Sequence, residues 1–155
     1  MENNNNSDII KPLKRIQAKI KLLALINKAK SEYDKANYSG CEEACMNILQ
    51  NEPNNITALR GLGCVKLSQG LKDEAIKYYQ KALSFSDNKE TDYALIGTAY
   101  YIHKDFELAI EYFNKAIDLN DNYDFAYEGR NQSMLEHHLQ IADLQDKLIN
   151  QEFNQ

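Results

Sequence analysis

Proline and glycine are scarce: two and six among 155 residues. That scarcity excludes an architecture of strands and hairpins and favours long helices joined by short turns. Long apolar runs are missing as well. The longest, Leu22 to Ile26, falls far short of the ~20 residues that span a bilayer. No apolar secretory stretch follows the start, where Asn3 to Asn6 is polar and the next segment is rich in lysine. Cysteine is limited to Cys41, Cys45 and Cys64, an odd set without a secretory signal, which reads as reduced thiols in the cytoplasm. An excess of positive charge is absent too, and the net charge of -5 speaks against general affinity for nucleic acid.

Constellations that carry chemistry are equally few. Cys41 and Cys45 stand one helical turn apart and could supply half a metal site, but no histidine lies at partner spacing, so they read as small buried hydrophobes. Cys64 has no base near it in sequence. His137 and His138 are adjacent and point to different faces of a helix. His103 sits at a turn beside Lys104 and Asp105 and reads as solvent-facing. Gly61 and Gly63 are not a phosphate loop, because no Gly-Lys-Ser/Thr follows and no strand precedes. The residues therefore predict no catalytic centre, no metal and no cofactor.

What the chain does have is a period of 34 residues. Glu74 to Leu83, with Ala75, Tyr79 and Ala82, returns as Leu108 to Ile117, with Ala109, Phe113 and Ala116. A fixed period of this size means stacked units, not one globular core. In residues 56–89, Leu59, Leu62 and Leu67 mark one helix face and Ala75, Tyr79, Ala82 and Leu83 mark another. Gly70 breaks the chain between them, since glycine takes the positive φ that a tight helix–helix turn needs. Each unit is thus a helical hairpin. Small residues such as Gly63 and Ala75 let the two backbones approach, and Tyr79 fills the space that remains. One unit earlier the scheme is degraded: Ala29 and Cys41 are small, and Cys45 stands in the place of the aromatic.

This pattern resembles the tetratricopeptide repeat (TPR) family. Tyr93, Ile96, Gly97, Tyr100, Ala109, Phe113 and Ala116 match its motif in kind, and Leu59, Leu62, Gly63, Ala75, Tyr79 and Ala82 match it one unit earlier. Lys28 departs from it, standing where the Leu of the Leu-Gly pair belongs, and Asp87 and Asp121 replace the closing proline. The resemblance implies an all-α superhelix of about three hairpins: residues 22–55 (degenerate), 56–89 and 90–123. Before them the residues predict a disordered Asn-rich tip over 1–7 and a basic extension over 8–21, helical from Pro12. After them, 124–155 reads as a capping helix.

The resemblance also implies a concave groove lined by the opening helix of each unit. Three rows follow the period: Tyr33, Leu67, Tyr101 and Leu135; Ile26, Arg60, Ala94 and Glu128; Lys30, Cys64, Thr98 and Gln132. An apolar and aromatic row beside small polar residues suits a docked peptide or helix. The groove is either open or covered by one of the chain's own ends. A TPR subfamily clamps chaperone C-terminal carboxylates with cations and amides, but the matching places here hold Ile26, Lys30, Gly61, Thr91 and Leu95, which speaks against that ligand. The leading expectation is a non-enzymatic adaptor, scaffold or small chaperone that binds a protein segment. Two other readings stand beside it. The basic start and acidic finish could join copies of the chain into a homo-oligomer, or the basic amphipathic helix could lie on an anionic membrane.

Overall fold

The computed structural model describes residues 5–153. Among them the chain forms seven helices and no strand: α1 (Asn5–Asp34), α2 (Tyr38–Asn51), α3 (Ile56–Ser68), α4 (Lys72–Leu83), α5 (Lys89–Ile102), α6 (Phe106–Leu119) and α7 (Asp124–Phe153). Each helix packs on the next in the chain. The short connections force antiparallel neighbours, so odd-numbered helices run one way and even-numbered helices the other. Contacts also skip from α1 to α3 and from α5 to α7, whereas no two even-numbered helices meet to a comparable extent. The odd-numbered helices therefore lie on the inner side of the curve.

The turns inside the three hairpins share one device. Ala36, Gly70 and Lys104, spaced at the repeat period, all adopt left-handed backbone, with φ of 56°, 77° and 64°. Only the glycine does so without steric cost. Asparagine starts two helices: the side-chain oxygens of Asn37 and Asn55 accept hydrogen bonds from the amides of Gly40 (3.2 Å) and Ala58 (3.0 Å), satisfying donors that the first turn leaves free.

Apolar burial is strung along the stack in three clusters. Ala29, Cys41, Cys45, Ile48, Leu62 and Val65 join α1, α2 and α3. Ala75, Tyr79, Ile96 and Ala99, with Cys64 and Leu67 packed against them, join α3, α4 and α5. Ala94, Ala109, Phe113, Ala116 and Ala126 join α5, α6 and α7. Each ring seats on glycine. A Cβ built on Gly63 would fall 2.3 Å from the Tyr79 ring, and one on Gly129 would fall 2.4 Å from the Phe113 ring. Neither glycine can take a side chain unless the helices move apart.

The two ends differ from the sequence expectation in one respect. Of the tip expected to be disordered, residues 1–4 lie outside the described residues, and Asn5 to Ser7 belong to α1. The helix therefore does not start at Pro12, which lies inside it. Proline's fixed φ is helical, but residue 12 cannot donate a backbone bond to the carbonyl of residue 8 and its ring crowds that carbonyl, a combined cost of about 3 kcal/mol. No helix among the described residues is long and apolar enough to cross a membrane.

Candidate binding groove

A pocket of about 250 Å³ opens on the inner side of the first hairpin. Ile26, Ala29, Lys30 and Tyr33 of α1 form one wall; Thr57, Ala58, Gly61 and Cys64 of α3 form the other. Cys41, Cys45 and Ile48 of α2 form the floor. Its inner surface is almost wholly apolar, with exposed Lys30, Tyr33 and Thr57 at the rim. Tyr33 and Ser68 share a 3.2 Å hydrogen bond that ties α1 to α3 beside the opening.

The pocket exists because two positions are small. In the second and third hairpins a ring, Tyr79 or Phe113, fills the space between adjacent opening helices. Cys45 occupies that position in the first hairpin. Gly61 faces it closely, since a Cβ there would fall 2.8 Å from the Cys45 sulfur, while Leu95 occupies the equivalent place one repeat later and is packed into the second cluster. Ile48, where later repeats carry Ala82 and Ala116, reclaims only part of the space.

All three thiols meet at this pocket. Burial pushes the Cys45 thiol up to about 12 and raises that of Cys41, so both are neutral and unreactive near neutral pH. Cys64 is half-buried, and its sulfur accepts a 3.4 Å hydrogen bond from the Tyr79 hydroxyl. Among the described residues no group of three His, Cys, Asp or Glu side chains is arranged to hold a metal ion.

Of the residues expected to line a groove, the pocket brings together Ile26, Lys30, Tyr33 and Cys64. The others lie elsewhere. Ala94 is fully buried in the third cluster and offers no surface, which corrects its assignment to the groove. It sits where α5 meets α6 and α7, and a methyl group there is needed for packing. Arg60 is engaged internally. Its Nε and Nη2 donate to the two carboxylate oxygens of Asp92, each at 2.8 Å, and Nη2 also reaches Ser86 Oγ (3.1 Å) and the Asn88 carbonyl (3.2 Å). Thr98 Oγ1 donates to the Ala94 carbonyl at 2.9 Å. Leu67 and Tyr101 are half-buried against the second and third clusters. Gln132 and Leu135 are exposed on α7.

Sequence reasoning missed Asp92, which is completely buried. A signal was present: the positions one period away are Ala58 and Ala126, both buried, so an acid between them requires a cation.

Sequence profiles of one family, the tetratricopeptide repeat, match residues 59–89 and 93–123. No curated protein matches the chain. Several solved structures share its fold. The Sgt2 TPR domain from Aspergillus fumigatus superposes with a TM-score of 0.68 at 17% identity, covering 76% of this chain and 80% of that one. The second TPR domain of human RPAP3, in complex with an HSP70 peptide, gives 0.65 at 14% identity, covering 74% and 96%. An O-GlcNAc transferase from Thermobaculum terrenum gives 0.66 at 22% identity, covering 73% of this chain. This chain spans only 22% of that enzyme's length.

Proposed function

Because this chain belongs to the tetratricopeptide repeat family, we propose that it is a non-enzymatic interaction module that receives a segment of another protein along its inner, odd-numbered helices. One observation carries this reading: the apolar pocket between α1 and α3, with a polar rim that can hold a backbone in place. The related RPAP3 domain holds an HSP70 peptide on the same fold. The ligand differs here. Of the places that would clamp a terminal carboxylate, only Lys30 is cationic; Ile26 and Gly61 line the apolar pocket and Leu95 packs into the core. A carboxylate would lack its charge-assisted partners, so the segment is held by apolar side chains.

A displayed library of random peptides, selected on the intact chain, tests this reading. Selected peptides should bind Lys30→Glu/Tyr33→Ala at least tenfold more weakly, with helicity unchanged by circular dichroism. They should bind Leu148→Asp, altered on the far end of α7, as well as the native chain. Equal binding to the groove variant would remove the reading. A second reading, self-assembly through the two charged ends, is favoured by the bare apolar faces of α1 and α7 and is tested at the scale of the whole molecule below.

A further inference from the structure

We infer that the pocket between α1, α2 and α3 is a seat for one aromatic side chain of the docked segment. This rests on the reading of the inner face as a segment-binding groove, and it names the group that the groove recognises.

The argument comes from the chain's own repeats. In the third hairpin the Phe113 ring lies between two glycines of neighbouring opening helices: a Cβ on Gly97 would meet it at 3.1 Å and one on Gly129 at 2.4 Å. The slot there is one ring thick and is full. One period before Gly97 and Gly129 stand Gly63 and Leu95; two periods before stand Ala29 and Gly61. The first hairpin therefore keeps small residues, Ala29 and Gly61, on both sides of the slot. The residue that should supply the ring is Cys45. What remains of the ring site is the pocket, with Cys45 buried beneath it and a Cβ on Gly61 falling 2.8 Å from its sulfur.

The size and chemistry agree. An apolar cavity of about 150 Å³ is enough for a benzene-sized group, and this pocket is about 250 Å³. Its accessible surface is Ile26, Gly61 and Cys64, with Ala29, Cys41, Cys45, Ile48 and Ala58 buried directly beneath, and a thiol such as that of Cys64 packs well against aromatic edges. Lys30 at the rim can lie over the face of an entering ring. The pocket opens between α1 and α3 on the inner side of the stack, so a segment running along the groove can deliver a side chain into it. A segment with Phe or Tyr at this position should bind roughly ten- to hundredfold more tightly than the same segment with Ala.

The seat can be tested without a partner. N-acetyl-phenylalaninamide is titrated to millimolar concentration into the labelled full chain, and amide signals are followed by NMR. Shifts at Gly61, Cys64 and Ile26 are expected, saturable and larger than those from N-acetyl-leucinamide. Cys45→Phe, which supplies the missing ring, should abolish them; Ala29→Leu narrows the same slot and serves if the first variant does not fold. No saturable shift in the native chain overturns the inference. So does an unchanged response in a folded slot-filling variant, or an equal response to the leucine probe. The broader reading fails separately. Peptides that ignore Lys30→Glu/Tyr33→Ala would sink the groove whatever the probe does, and peptides that need the groove but lack an aromatic would sink only the seat.

Discussion

At the scale of single residues, two groups carry more than their neighbours. The Arg60–Asp92 pair bridges α3 and α5 with both carboxylate oxygens engaged, and the carboxylate is completely shielded from water. The hydrogen bond to Asp92 holds the Arg60 guanidinium above its usual range. Removing one partner strands a buried charge. Arg60→Ala should therefore cost about 3–5 kcal/mol in urea unfolding, far more than an exposed pair such as Lys147–Asp143 would cost. Cys45 gives a pH dependence. Burial raises its thiol from an ordinary value of 9.0 to about 12, so the folded state keeps a proton that the unfolded state loses in that range. Stability from this group is complete below pH 9 and should fall as pH rises toward 12. Burial raises Cys41 and Tyr79 in the same direction. Cys45→Ala should make the fall shallower, as read from unfolding midpoints at stepped pH.

At the scale of elements, the hairpin turns show how a repeat tolerates sequence drift. The left-handed residue is Gly70 in the second hairpin but Ala36 and Lys104 in the others. A side chain in this conformation costs roughly 1–2 kcal/mol, partly offset because glycine loosens the unfolded chain by about 0.4–1 kcal/mol. Lys104→Gly should therefore stabilise the protein by about 0.5–1 kcal/mol, and Gly70→Ala should destabilise it by a similar amount, measured by chemical denaturation. Gly70 as a break was legible because glycine is distinctive. Ala36 and Lys104 were not, since nothing about an alanine or lysine marks positive φ; only the period, applied to the backbone, exposes them.

At the scale of the whole molecule, the two end helices reach beyond the stack. Ile10, Leu13, Ile16, Ile20 and Leu23 leave one face of α1 bare, and Met134, Leu144 and Leu148 do the same on α7. Between Lys11 and Lys30, α1 carries seven cations and no acid, while α7 carries six acids against two cations. The two helices run in the same direction, so α1 projects from one end of the stack and α7 from the other. They cannot cover each other within one copy. A second copy, turned about a two-fold axis, could pair α1 with α7 twice. On this self-assembly reading, sedimentation should detect association that weakens at high salt. Lys14→Glu/Lys19→Glu/Lys21→Glu and Asp143→Lys/Asp146→Lys should each be monomeric, and mixing the two variants should restore the complex. A monomer at every concentration and salt, or no rescue on mixing, would end this reading. Binding of that monomer to phosphatidylserine vesicles would assign α1 to a membrane surface instead.

The sequence alone determined the stack of hairpins, because a period of 34 residues dictates which small and large side chains must meet, whatever lies on the surface. It also marked Cys45 as the odd member of a row of rings. It could not determine what fills a gap or which side chain is already engaged. Ala94 and Arg60 obey the same periodicity as Ile26, yet one is sealed beneath α7 and another is held by Asp92. Those outcomes depend on contacts between helices some thirty residues apart, set by volumes and charges that no single helix contains. The tertiary structure decided that Cys45, Ala29 and Gly61 meet, and that the core there closes only in part and leaves a pocket above them.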